Sequence, residues 1–225
     1  MTRPRRRTGI LAAAVGALVA GTLLLAPADA AAAAGVQGGD AVYSGQYRCT
    51  LAFNVRDANG AYYFIASGHC GASVGSVWYS NSTHTTALGT TFAVSSLGGG
   101  IVIVKYPAGV VPPGSVDLHN GSSQDITTAV DPYVGEAAKR SGSTTGVHSG
   151  SVTGVNVTVN YPEGTVTGLI RTNICAEGGD TGGPLFDGTK ALGVLVSASG
   201  NCSSGGTTFY EPITKILAAY GLSVY

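Results

Sequence analysis

The run Glu177-Gly178-Gly179-Asp180-Thr181-Gly182-Gly183-Pro184-Leu185 is the stretch of this chain best suited to chemistry. Its glycines permit torsions that aim successive backbone N–H groups at one point, and they let another backbone come close. Donors arranged in this way stabilise a developing oxyanion. Thr181 places a hydroxyl in the same turn. Far upstream, Ala66-Ser67-Gly68-His69-Cys70 sets a histidine at the end of a strand-like segment. An imidazole is the commonest general base near neutral pH.

The remaining reactive residues point to structure. Four cysteines, Cys49, Cys70, Cys175 and Cys202, form an even set with three possible disulfide connectivities. A zinc site is disfavoured because no C-x-x-C spacing occurs. No metal or other cofactor is expected. His84, His119 and His148 lie in polar, turn-rich segments and read as surface residues.

Short strands must position these groups. Thr50 to Val55 alternates, Asp57-Ala58-Asn59-Gly60 makes a turn, and Tyr62 to Ala66 returns, which predicts a hairpin. Ile101 to Tyr106 and Leu192 to Val196 read as buried strands. Ser151 to Asn160 alternates, turns near Pro162-Glu163-Gly164, and continues through Val166 to Arg171. One helix is expected at the C-terminus. Pro212 suits its first turn, Ile213, Ile216, Leu217 and Tyr220 share a face, and Gly221 ends it. A Gly, Ser and Asn-rich seam between about Ser115 and Ala129 divides the chain into expected barrels at 36–120 and 121–225.

Residues 1–35 read as a secretory signal peptide. Arg3, Arg5, Arg6 and Arg7 precede an apolar run from Ile10 to Leu25, and Ala28-Asp29-Ala30 offers small residues for cleavage. Sec and twin-arginine export both stay open. From Val36 onward, 8 Lys+Arg face 11 Asp+Glu, with no basic stripe, so nucleic acid is not an expected partner. No later segment could span a bilayer as a helix. The mature chain is expected to be secreted, free of membrane and monomeric.

The chain resembles the bacterial streptogrisin branch of the chymotrypsin family from Val36 to Tyr225. The similarity rests on Gly38-Gly39-Asp40-Ala41, Gly68-His69-Cys70, Gly142-Ser143-Thr144-Thr145-Gly146, Arg171-Thr172-Asn173-Ile174-Cys175-Ala176-Glu177 and Gly200 to Thr208, besides the glycine-rich run. The resemblance implies an all-β fold of two packed six-stranded antiparallel β-barrels, with a cleft between them and a short C-terminal helix. It also implies the local disulfides Cys49–Cys70 and Cys175–Cys202.

Residue by residue, the resemblance makes His69 the general base and the Gly179 and Thr181 N–H groups the oxyanion hole. The nucleophile position, serine in the family, is Thr181. The acid position, anchored on Ile103-Val104-Lys105-Tyr106, falls on Gly100. No slip restores it, because no Asp or Glu occurs between Asp57 and Asp117. Two positions that are polar in the family near the missing acid read Ala66 and Val196. Val196, Ser197, Ala198 and Ser199 correspond to the substrate-facing strand, with Ala198 narrowing the pocket entrance and Thr207 near its base. Asp180 is expected to pair with Arg140 below the oxyanion loop.

The function expected from these residues is a secreted serine protease homologue with impaired or lost catalysis. Its cleft would take a peptide or protein substrate, or a proteinaceous inhibitor. The alternatives are a weak endopeptidase using Thr181 and His69, and a secreted decoy that binds peptides or inhibitors.

Overall fold

The structure is a computed structural model that describes residues 1–2, 35–71, 73–95, 100–162 and 164–225. The expected signal peptide lies almost wholly outside the described residues. Seven strands build the first half: β1 (Ala41–Ser44), β2 (Tyr47–Thr50), β3 (Asn54–Asp57), β4 (Tyr62–Ser67), β5 (Val77–Tyr79), β6 (Ala87–Ser95) and β7 (Ile101–Lys105). Three short strands follow: β8 (Ser115–Asp117), β9 (Ser123–Asp125) and β10 (Thr128–Ala129). The second half contains β11 (Ala137–Gly142), β12 (Gly146–Tyr161), β13 (Gly164–Thr172), β14 (Pro184–Asp187), β15 (Lys190–Asn201) and β16 (Gly205–Pro212). Helix α1 (Ile213–Tyr220) and β17 (Leu222–Ser223) close the chain.

Each half closes on itself. In the first, β2 and β3 are two parts of one path, and the ring runs β1, β2/β3, β4, β7, β6, β5 and back to β1. In the second, the ring is β11, β12, β13, β16, β15, β14 and back to β11. Each ring is therefore a six-stranded antiparallel barrel, and closure leaves few free edges. Three additions lie outside the rings. Strands β8 and β9 pair with each other as a separate antiparallel ribbon. Strand β10 joins β15 in parallel, and β17 returns from the C-terminus to pair with β3 of the first barrel.

Three apolar clusters explain the strand patterns. One fills the first barrel around Leu51, Phe64, Trp78 and Val104. Another fills the second around Val152, Ile170, Leu185 and Tyr210. The third joins Phe53, Ile65 and Ile103 of the first barrel to Phe186, Val194 and the helix residues Ile213 and Ile216. Strand β7 reads as an unbroken apolar run because both faces are covered: Ile101 and Ile103 face the joint cluster, Val102 and Val104 the barrel interior. The expected strand from Thr50 to Val55 is interrupted at residues 51–53, where the chain passes between the two cores and every residue is buried. Pro212 is the residue before the helix rather than part of its first turn, and Gly221 ends the helix in a left-handed conformation.

The disulfides are Cys49–Cys70 and Cys175–Cys202, each local to one barrel. The first ties β2 to the turn that carries His69. The second ties the segment before the glycine-rich turn at 177–183 to the residue that follows β15. Two disulfides fit an oxidising, extracellular environment.

Candidate active site

Gly68, His69 and Cys70 form a single 3₁₀ turn at the end of β4. Ser67 caps it, its Oγ accepting from the His69 N–H at 3.3 Å. Gly100 immediately precedes β7 and lies beside this turn, because Ser67 pairs with Ile101 and the Gly68 N–H donates to the Gly100 carbonyl at 2.8 Å. Gly100 and the turn that carries His69 are thus neighbours across one strand pair.

Thr181 reaches the same place from the second barrel. Its carbonyl accepts from the Thr50 N–H at 2.9 Å. A Cβ on Gly182 would lie 2.4 Å from the Thr50 carbonyl oxygen and 3.1 Å from the Ser67 nitrogen. The turn can therefore dock against the strand end that carries His69 only with glycine at 182.

The backbone of this turn divides its donors in two. The N–H groups of Asp180 and Gly182 are used, by the carbonyls of Glu177 and Leu195. Among the described residues, no acceptor takes the N–H of Gly179 or of Thr181. Two alternate donors of one turn are left for an acceptor from outside, as an oxyanion hole needs.

The side chains around His69 are less well provided. The imidazole is exposed, and among the described residues neither of its nitrogens nor Thr181 Oγ1 has a hydrogen-bond partner. Gly100 offers no side chain. Ala66 and Val196 are 0% and 3% exposed and belong to the apolar clusters. Val196 is thus a core side chain, whereas Ser197 is half-buried and Ala198 and Ser199 are exposed on the same strand.

Below the turn, Arg140 and Asp180 are both fully buried, with Nη1 3.3 Å from Oδ2. Arg140 also donates to the Cys175 carbonyl at 2.9 Å and to Thr145 Oγ1 at 2.7 Å. Asp180 accepts from the N–H groups of Thr144, Thr145 and Glu177 and from the Thr145 hydroxyl. Burial raises the Asp180 carboxyl, but the Glu177 N–H, the Thr145 hydroxyl, Arg140 and the Thr144 N–H together hold it below the usual carboxylate value.

A cavity of about 290 Å³ opens beside Thr181, lined by Ala176, Glu177, Leu195, Ser197, Ala198 and neighbouring glycines. Leu195 and Ala176 were not expected there from sequence. Ala176 belongs to the segment that carried the resemblance, but Leu195 reads as an ordinary strand leucine. Thr207 does not line the cavity; it pairs with Ser199 across the two strands. Its neighbour Thr208 is buried, its hydroxyl bonded to Thr172, Tyr210 and the Ile174 carbonyl. His148 departs from the surface reading: it is half-buried, with Nδ1 3.5 Å from Cys175 Sγ. These two sulfurs are joined in the disulfide, so the cluster of His148, Cys175 and Cys202 offers no thiolate to a metal.

The family model described as Trypsin matches residues 36–219. The chain belongs to the trypsin family. Within it, the chain is 49% identical over 190 residues to Streptogrisin-A of Streptomyces griseus, covering 84% of this chain and 61% of that protein. It is 50% identical over 175 residues to Serine protease 2 of Streptomyces fradiae, covering 77% of this chain and all of that protein. A solved structure described as "A glutamic acid specific serine protease utilizes a novel histidine triad in substrate binding" superposes with a TM-score of 0.79. It is 45% identical, over 84% of this chain and the whole of that one. The chain is a trypsin-family serine protease homologue of the streptogrisin type with the chymotrypsin-like double-barrel fold.

Proposed function

We propose that this protein is an exported, monomeric trypsin-family homologue whose cleft binds peptides while its hydrolytic chemistry is impaired or lost. The observation that carries the reading is the surroundings of His69. Its expected acid position is Gly100, packed against Gly68, and the two positions that the resemblance gives as support for a carboxylate, Ala66 and Val196, are apolar and buried in separate clusters. A triad lacking only its acid loses about 10⁴ in kcat, because the imidazole loses its tautomer and orientation. Thr181 adds a hindered secondary alcohol whose hydroxyl has no hydrogen-bond partner among the described residues.

Binding is a separate property and its parts remain. The edge of β15 at Ser197 to Ser199 can add an extended peptide as a further strand. The cavity beside Thr181 suits an uncharged side chain of modest size, with the Ala198 methyl at its rim. Among the described residues, no histidine lines this cavity. Export is supported by the apolar run from Ile10 to Leu25 and by the two disulfides.

A fluorophosphonate probe and an acetylated peptide with an apolar C-terminal residue, applied to the purified mature chain, test the reading. Peptide binding without labelling is expected. Labelling at Thr181 together with turnover of a protein substrate would instead establish the second reading, a weak endopeptidase. That reading is favoured by the open N–H groups of Gly179 and Thr181, which in a triad-deficient site sustain about 10³–10⁴-fold over water.

A further inference from the structure

The proposed oxyanion turn is held in place from the opposite barrel. Arg48, at the middle of β2, donates from Nη1 to Thr144 Oγ1 at 2.6 Å and from Nη2 to the Ser143 carbonyl at 2.8 Å. Thr144 Oγ1 in turn donates to the Gly178 carbonyl at 2.9 Å. The next carbonyl, of Gly179, accepts from Thr50 Oγ1 at 2.8 Å and from Ser143 Oγ at 3.3 Å. Two successive peptide groups of the turn are therefore pinned by hydroxyls, and two of the pinning residues, Arg48 and Thr50, belong to the first barrel.

The Gly178 carbonyl and the Gly179 N–H belong to one peptide plane. In a trans peptide they point in opposite directions. Fixing the carbonyl toward Thr144 fixes the N–H away from it. The bond from a guanidinium polarises the Thr144 hydroxyl and strengthens its own donation. Gly179 is held at φ +95°, and a Cβ there would lie 2.4 Å from Thr144 Oγ1 and 2.7 Å from Arg48 Nη1. The turn meets this brace at a position only glycine can fill. No carboxylate pairs with Arg48 among the described residues, so its charge is directed to Thr144 and the Ser143 carbonyl.

We infer that Arg48 and Thr144 are positioning residues: their relay orients the Gly178–Gly179 peptide so that the Gly179 N–H faces the cleft as an anion donor. This deepens the functional reading above and rests on it. Through Arg48, the orientation of an anion donor in the second barrel depends on how the first barrel is seated.

The test uses two probes, an acetyl-tetra-alanine peptide with a free terminal carboxylate and the same peptide as its amide. Both are titrated into the ¹⁵N-labelled mature protein, and affinity is followed at the Gly179 amide. The native protein is expected to prefer the carboxylate at least tenfold. Thr144→Val should reduce that preference to within twofold while leaving amide binding unchanged. Thr144→Ser should retain it, and Arg48→Met should lower it severalfold without moving the melting temperature. A Thr144→Val protein that keeps the tenfold preference overturns the relay alone. A native protein with no preference overturns the oxyanion reading and the relay with it. Should Thr144→Val fail to fold, Arg48→Met decides by the same readout, and an unchanged preference there overturns the relay.

Discussion

The backbones of Gly68 and Gly100 are in contact: a Cβ on Gly68 would lie 2.8 Å from the Gly100 carbonyl carbon, and one on Gly100 would lie 3.3 Å from the Gly68 Cα. The peptide carrying the base position and the residue at the acid position are pressed together where the family's mechanism would require a carboxylate. Gly100 also sits at φ +97°, a conformation that L-residues adopt under strain.

Gly100→Ala should therefore destabilise the protein, by about 1–3 kcal/mol for the backbone strain. Gly100→Asp should cost more than Gly100→Ala at neutral pH, because the nearest atoms to a Cβ there are the Gly68 backbone and the Ser95 carbonyl oxygen, which offer a carboxylate no side-chain donor. Urea denaturation of the two variants separates strain from charge burial. An aspartate variant as stable as the native chain would place that side chain elsewhere.

Restoring one group should restore little activity. Thr181→Ser supplies a primary hydroxyl but leaves His69 without an acid. Substantial hydrolysis is expected only when Thr181→Ser and Gly100→Asp are combined, with a further gain from Val196→Ser, which the resemblance implies would return a donor to the carboxylate. The measurement is kcat/KM on a peptide with an apolar residue before the scissile bond. Native turnover within about tenfold of the double variant would mean that the triad argument does not govern this site.

Arg140→Ala should destabilise by about 3–5 kcal/mol, since it strands the buried Asp180 charge. The pH dependence has a defined sign. Asp180 in the folded protein titrates below its ordinary value, so the stabilisation from its partners is complete above about pH 4 and is lost as pH falls through the lowered value. Asp180→Asn should flatten that acid limb of the melting-temperature profile. A limb unchanged in the variant would assign acid sensitivity to other carboxyls.

Glu211 has the opposite sign. It is fully buried, Lys215 Nζ lies 2.8 Å from Oε1, and among the described residues Oε2 has no hydrogen-bond partner. Burial raises its carboxyl, with Lys215 drawing it partly back. A raised group favours the fold below its unfolded value, near about pH 4.3, and that contribution is lost as pH rises through the folded value. Glu211→Gln should stabilise at pH 7 by on the order of 1 kcal/mol and gain nothing at pH 4. Equal gains at both pH values would show that charge burial is not the cause.

The strands were legible in sequence because they are local patterns, while their assembly into two six-stranded barrels followed from the family resemblance. The strand expected from Ile101 to Tyr106, the turn at Asn59-Gly60 and the spacing of the glycine-rich segment each depend on nearby residues alone. The path through residues 51–53 was less legible. Its unbroken burial comes from two cores meeting, and no short window contains both. Leu195 was missed in the cavity lining for a related reason. The register of β15 shifts between Leu195 and Ser197, and which side chain faces the cleft depends on that shift.

What the sequence by itself determined is which groups this protein has and lacks. Thr181, Gly100, Ala66 and Val196 are chemical identities, and no fold can supply a carboxylate between Asp57 and Asp117. Only the tertiary structure decided how the remaining groups are held. Gly179 could be recognised as a glycine in a turn, but the free N–H beside it depends on where the Gly178 carbonyl is bound. That carbonyl is bound by Thr144, which Arg48 holds from 96 positions away in the chain. A hydrogen bond depends on distance and angle between atoms, and chain separation says nothing of either until the two barrels have packed.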